Sequence, residues 1–183
     1  MAKTTKSTTN DKKTADATEQ KKKWKVNRQH KMLIGSLFML FAIALFVAFI
    51  SFFIHGQEDQ SAVLELSDRS EPVNNWLGKF GAFLADFFIY KGFGAASFLF
   101  TKLFFLTGAF IALDISLKKL KNIWFWDLFF IVLLSISFGF FWASLPELGG
   151  TVGYEMNLFF QDYIGKIGTS LLLILGIVIY LIF

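Results

Sequence analysis

The stretch MLIGSLFMLFAIALFVAFISFFI, from Met32 to Ile54, is 23 residues long and contains no charged residue. An α-helix rises about 1.5 Å per residue, so this stretch is long enough to cross a hydrocarbon core of about 30 Å. A long polar tail precedes it and no small-x-small cleavage site follows it, which favours an uncleaved anchor over a signal peptide. The stretch therefore predicts a first transmembrane helix.

Three more apolar blocks follow along the chain, from Phe93 to Leu113, from Leu128 to Leu145 and from Ile167 to Phe183. The chain is 55% hydrophobic and 19% aromatic, and these residues are gathered into blocks, as in membrane proteins. Cysteine is absent, which excludes disulfides and thiolate metal sites. We expect an all-α membrane protein whose four-helix membrane domain covers residues 32–183.

The distribution of basic residues predicts the orientation. Residues 1–31 hold ten Lys or Arg, and the short connection after the second block holds Lys118, Lys119 and Lys121. Such segments stay in the cytoplasm, so we expect both termini there. The tail up to residue 20 has too few apolar side chains to fold, and the basic cluster that ends it sets the topology or binds anionic headgroups. Residues 1–31 are thus a predicted disordered tail.

The segment between the first two blocks divides into two parts. Residues 57–73 are polar and acidic, which is typical of a loop. From Asn74 to Tyr90, apolar residues recur at helical spacing, which predicts an amphipathic helix that lies flat in the outer interface or re-enters the membrane. Small residues on this helix would let another helix approach closely. They are Gly78, Gly81, Ala82 and Ala85.

No catalytic, cofactor-binding or metal-binding residues are predicted. The glycine-rich stretches that start at Gly149 and Gly165 lack the spacing of a phosphate-binding loop, and we interpret them as turns and helix starts. The two histidines, His30 and His55, flank opposite ends of the first span, so they cannot share a metal ion.

Lys102 is the one charge inside a predicted span. An ionisable group there usually faces protein, water or an opposite charge. Lys102 could reach outward along its own stem or pair with Asp86, or it could belong to an ion or proton pathway. Asp114 and Asp127 are expected at the inner boundary, where water reaches them.

The order of these features resembles the N-terminal four-helix membrane domain of the FtsK/SpoIIIE DNA translocases, over roughly residues 30–183. The residues that carry the resemblance are Asn75, Gly78, Gly81, Ala82, Ala85, Asp86, Gly92, Ala95, Gly149, Gly150 and Gly153, with Gly165 and Gly168 before the last span. Members often have Pro where this chain has Phe100, Thr101 and Lys102, and they continue into a linker, a hexameric ATPase and a winged-helix module. We therefore expect this chain to be part of a longer polypeptide.

The resemblance implies a non-enzymatic anchor at the division septum of a bacterial inner membrane. Its partners would be the lipid bilayer, other division-site membrane proteins and further copies of itself, through the small residues named above. ATP, magnesium and DNA would be bound only by the motor and DNA-reading domains that follow in the family. The alternatives are a small channel or transporter subunit that uses Lys102, and a membrane subunit of a secretion or signalling assembly.

Overall fold

The computed structural model describes residues 27–64, 73–141 and 144–182, without the side chains of residues 56–64 and Pro146. All regular structure in these residues is helical: α1 (Arg28–Leu64), α2 (Gly78–Ala85), a π-helical segment (Asp86–Phe93), a 3₁₀ turn (Gly94–Ser97), α3 (Phe98–Ala112), α4 (Leu117–Phe141) and α5 (Pro146–Ile182). Four stretches are long and apolar enough to span a membrane. They are Arg28–His55, Gly78–Ala112, Leu117–Phe141 and Glu147–Ile182. The predicted all-α architecture with four spans is confirmed.

Helices α1, α4 and α5 begin before the predicted spans, whereas α3 (Phe98–Ala112) is shorter than the span predicted from Phe93 to Leu113. α1 begins at Arg28, inside the predicted tail, and it continues to Leu64, so the loop predicted from residue 57 is wrong over residues 57–64. α4 begins at Leu117 and not near residue 128. Charged side chains end an apolar block but leave main-chain hydrogen bonds intact, so the helix continues past the block. The predicted disordered residues 1–26 and loop residues 65–72 lie outside the described residues.

Two shorter connecting helices join the spanning helices, one between α1 and α3 and the other between α4 and the last span. The first connecting helix covers residues 78–93, and the second covers residues 151–164 within α5. The first lies between Gly78 (φ 64°) and Gly94 (φ 63°), and the second between Gly150 (φ 65°) and Gly165 (φ 70°). Counted between these glycines, the first helix has 15 residues and the second has 14, and the π-helical segment, which takes up an extra residue, accounts for the difference. The chain is therefore built from two hairpins of the same plan.

The connecting helices test two of the sequence predictions. An amphipathic helix was predicted from Asn74 to Tyr90, and the first connecting helix covers residues 78–93; its amphipathic character and its place in the outer interface stay predictions. The glycine-rich stretch that starts at Gly149 was interpreted as a turn and helix start, and residues 151–153 belong to the beginning of the second connecting helix. The predicted role of these glycines at turns and helix starts is confirmed at Gly150 and Gly165, which break α5.

The first hairpin packs α1 along α3. A Cβ built on Gly35 or on Gly108 would stand 2.5 Å from the carbonyl oxygen of the other, so the two backbones are in contact there. At one end of this hairpin Lys31 forms an ion pair with Asp114, in the turn after α3. The start of α1 and the turn from α3 to α4 therefore lie at the same end of the molecule.

The second hairpin packs α4 along α5. A Cβ on Gly139 would stand 2.6 Å from the carbonyl oxygen of Gly153, so the second connecting helix lies against α4. Further along, the rings of Phe130 and Tyr180 stack with centroids 4.2 Å apart. These contacts hold the last span against α4 on one side only, and 11% of its most apolar stretch is buried, against 33% in each of the other three spans.

The spanning helices form a row and not a closed bundle. In the described part of the chain, α1 contacts α3, α3 contacts α4 and α4 contacts α5, while no Cα atoms of α1 and α4, α1 and α5, or α3 and α5 lie within 8 Å of each other. The π-helical segment and the 3₁₀ turn also pack against α5. The two hairpins are thus joined by the α3–α4 contact and by the region around the connecting helices.

Candidate interaction site

The predicted small-residue stripe lies against a helix of its own chain. Gly81, Ala82 and Ala85 are buried, and Ala85 belongs to a core cluster with Leu45 and Phe49 of α1. Close approach by a helix is therefore already provided by α1. The opposite face of the same connecting helix carries exposed aromatic side chains. They are Phe80, Phe83 and Phe87.

Asn75 fixes the start of the first connecting helix on α1. Its side chain is buried, its Nδ2 donates to the carbonyl oxygen of Ala48 at 3.1 Å, and its Oδ1 accepts from the backbone N–H of Leu77 at 3.1 Å. The backbone N–H of Trp76 donates to Ser51 Oγ, which is also buried, at 3.0 Å. A buried amide with donor and acceptor both used is a stable structural element.

In the second hairpin, polar residues that the sequence analysis missed also fix the connecting helix on its spanning helix. Asn157 is buried in the second connecting helix, and its Nδ2 donates to the carbonyl oxygen of Gly139 in α4 at 3.2 Å. Ser135 Oγ donates to the carbonyl oxygen of Gly149 at 2.7 Å. Asn157 stands seven residues after Gly150, where the first hairpin has Ala85 after Gly78, and the sequence carries no signal that sets it apart from Gln161 on the same helix.

Glycines from both hairpins meet at backbone contact, in a junction that we call the glycine crossing (Gly92, Gly94, Gly149 and Gly150). A Cβ on Gly94 would stand 2.6 Å from the carbonyl carbon of Gly149, and one on Gly150 would stand 2.6 Å from the carbonyl oxygen of Ile89. No larger side chain fits at either position. Gly92, Gly149 and Gly150 are among the residues that the sequence analysis predicted for contacts. Gly94 was missed, although it stands only two positions after Gly92.

The other predicted residues lie around the glycine crossing. Thr151 Oγ1 donates to the carbonyl oxygen of Tyr90 at 2.9 Å, which adds a polar link between the hairpins. Ala95 is half-buried beside Gly94. Gly153 packs against Ser135 of α4 instead, and around Gly78 no atom stands within 4 Å of a built Cβ. The predicted set is thus distributed over three contacts and does not form one surface.

Lys102 forms an ion pair that joins the hairpins at a second point. Its Nζ donates to Asp127 Oδ1 at 2.9 Å and lies 2.8 Å from Oδ2. The Asp127 side chain is 6% exposed and that of Lys102 is 48% exposed. The predicted pairing with Asp86 is wrong. Asp86 pairs with Lys91 at 2.7 Å, five residues later, and a π-helix brings positions of that spacing to one face.

Asp127 is also more buried than the sequence indicated, at 4% exposed. It is ten residues into α4, about 15 Å from the start of that helix at about 1.5 Å per residue, and its place at the inner boundary stays a prediction. Trp124 Nε1 donates to Thr107 Oγ1 at 3.0 Å one turn away, so a second polar bond supports the α3–α4 contact. Because Lys102 and Asp127 neutralise each other, the arrangement is suited to holding helices together in lipid.

The described residues hold no group of three or more His, Asp or Glu side chains placed to bind a metal ion. The model for the 4TM region of DNA translocase FtsK/SpoIIIE matches residues 27–183, and that region is a membrane domain distinct from the ATPase motor. Among curated proteins and solved structures, none matches the chain. Four spanning helices and a match along the whole described chain agree, and the chain therefore belongs to the FtsK/SpoIIIE family through its four-helix transmembrane region.

Proposed function

We propose that this chain anchors a DNA translocase in the bacterial inner membrane at the division septum, where the motor acts in chromosome segregation. The observation that carries the proposal is the family match over residues 27–183, the same residues that form the four spanning helices. The anchor itself performs no catalysis. ATP with magnesium, and DNA, are bound by the motor and DNA-reading parts of such a translocase.

Both termini of the domain face the cytoplasm in this proposal. The Lys31–Asp114 ion pair supports it, since it brings the start of α1 to the turn before α4. Lys118, Lys119 and Lys121 lie just after that turn, and basic residues favour the cytoplasmic side. A reporter enzyme that works only in the cytoplasm is expected to be active when fused after Ser116 and inactive when fused near Leu145. A reporter that works only outside is expected to give the opposite result. Equal activity of either reporter at the two sites would contradict this topology.

The first connecting helix offers the surface on which division proteins or a second copy bind. Its aromatic face is exposed (Phe80 at 65%, Phe83 at 38% and Phe87 at 56%), while its small-residue face is covered by α1. The chain lacks cysteine, so single-cysteine crosslinking needs no background removal. Phe83→Cys is expected to crosslink to partners in dividing cells, and Ala85→Cys, which is buried two positions on, serves as the matched control. Equal crosslinking by both would argue against this face.

Localisation tests the septal role itself. Residues 1–183 fused to a fluorescent protein are expected to collect at the division site, and an equally abundant variant that lacks the second hairpin is expected to lose this position. Uniform fluorescence around the membrane from the intact domain would contradict the septal role, while crosslinks to secretion components would favour the alternative assembly.

The ion pair argues against the channel alternative. A conducting pathway would need polar groups that carry ions through the membrane, whereas Lys102 and Asp127 satisfy each other at 2.8 Å. Reconstituted residues 1–183 are therefore expected to give no ion or proton flux above that of empty vesicles. Flux that disappears in a folded Lys102→Leu variant would favour the channel.

A further inference from the structure

A polar cavity opens beside the Lys102–Asp127 pair. It has a volume of about 530 Å³, and its walls come from α3, α4 and α5. The polar side chains in the walls are Lys102, Asn122, Trp126, Asp127 and Tyr180. Lys102 has three N–H donors. Because Lys102 is 48% exposed, its ammonium group still faces this cavity after pairing with Asp127.

An apolar groove continues from this cavity along α4 and α5. Its volume is about 390 Å³, and Tyr180 and Leu181 line both spaces. From Phe130 to Phe141 the groove follows α4 for eleven residues, about 16 Å at about 1.5 Å per residue. One leaflet of a hydrocarbon core of about 30 Å has about this depth. A polar cavity followed by an apolar groove of leaflet length has the form of a phospholipid.

Lys119 gives this site a positive charge at its open end. It is exposed near the start of α4, and it lies three, four and seven residues before Asn122, Ile123 and Trp126, which places all four on one face of the helix. Lys121 is exposed two residues later and, at about 3.6 residues per turn, projects from the far side of α4. The Lys102–Asp127 pair carries no net charge, so Lys119 makes the site cationic.

We propose that this cavity and groove bind one anionic phospholipid, with its phosphate between Lys119 and Asn122 and an acyl chain along the α4–α5 groove. The ester groups lie beside Lys102, which donates a remaining N–H to a carbonyl oxygen. Such a lipid covers the exposed side of the last span. It also places a hydrogen-bond acceptor against the part of the Lys102 ammonium group that faces the cavity.

Native mass spectrometry of residues 1–183, released from bilayers with equal amounts of phosphatidylglycerol and phosphatidylcholine, tests the proposal. One phosphatidylglycerol per chain is expected to be retained in preference to phosphatidylcholine. Lys119→Gln is expected to lower this preference about fivefold, the loss of one lysine–headgroup contact, while Lys121→Gln leaves it unchanged. Both lysines are exposed, so neither substitution threatens folding.

A second variant tests the groove separately from the charge. Ile177 lines the groove and is 41% exposed, so Ile177→Trp fills the space without entering the core. It is expected to abolish retention of the lipid while the thermal midpoint of the protein stays within the range of the lysine variants. Equal retention of the two lipids, equal effects of Lys119→Gln and Lys121→Gln, or retention unaffected by Ile177→Trp would each overturn the proposal.

Discussion

Removal of the Lys102 charge is the sharpest test of how the two hairpins are held together. Lys102→Leu leaves the Asp127 carboxylate 6% exposed and without its cation. Breaking a fully buried ion pair in this way costs about 3–5 kcal/mol, and because Lys102 is itself half exposed we expect a smaller loss, about 2–3 kcal/mol. The Trp124–Thr107 hydrogen bond, which also links α3 and α4, stays in place in this variant.

The control for this experiment is the double variant Lys102→Leu with Asp127→Leu. Replacing both charges by apolar side chains of similar size is often neutral in a buried site, so the double variant is expected to recover stability to within about 1 kcal/mol of the wild type. The free energy of unfolding can be followed by circular dichroism as SDS replaces a mild detergent. The reasoning is refuted if Lys102→Leu is as stable as the wild type, or if the double variant is no more stable than Lys102→Leu.

Three other substitutions test the fold by the same unfolding measurement. Gly94→Ala is expected to lower the free energy of unfolding more than Gly165→Ala. Both glycines have positive φ, worth about 1–3 kcal/mol in strain, but a Cβ on Gly94 also meets the backbone of the second hairpin, while Gly165 is open. Equal losses of stability would contradict the glycine crossing. Asn157→Ala is expected to cost about 1–3 kcal/mol by leaving the Gly139 carbonyl without its side-chain donor, and an unchanged stability would remove that role. Gly108→Leu is expected to separate α1 from α3, because a Cβ there already meets Gly35, and native-like packing of the first hairpin in this variant would be inconsistent with the close contact.

The sequence predicted the four spans because a bilayer demands long apolar blocks, and such blocks are visible without a structure. It misplaced the helix ends because they are set by main-chain geometry. Lys118, Lys119 and Lys121 end an apolar block, yet α4 continues through them and begins at Leu117. The backbone turns instead at Asp114, which has φ 57°.

Long-range contacts explain the remaining differences. Lys102 and Asp127 are 25 residues apart, on helices whose rotation about their axes cannot be read from all-apolar sequences. Asp86 seemed the nearer partner, but the π-helical segment directs it to Lys91. Asn157 was missed because its function depends on the carbonyl oxygen of Gly139, which lies on a different helix. Of the small residues predicted on the first connecting helix, Gly81, Ala82 and Ala85 are buried and Gly78 is open, and contact of this stripe with a partner protein stays a prediction.

The most direct measurement of the central proposal, that this region anchors a DNA translocase, is to read the genomic coding sequence downstream of Phe183. We predict an open reading frame that continues through a linker into a motor with the phosphate-loop pattern Gly-x-x-x-x-Gly-Lys-Ser/Thr, whose backbone N–H groups and Lys would bind ATP. A stop codon directly after Phe183, or a downstream domain with no nucleotide-binding loop, would contradict the proposal.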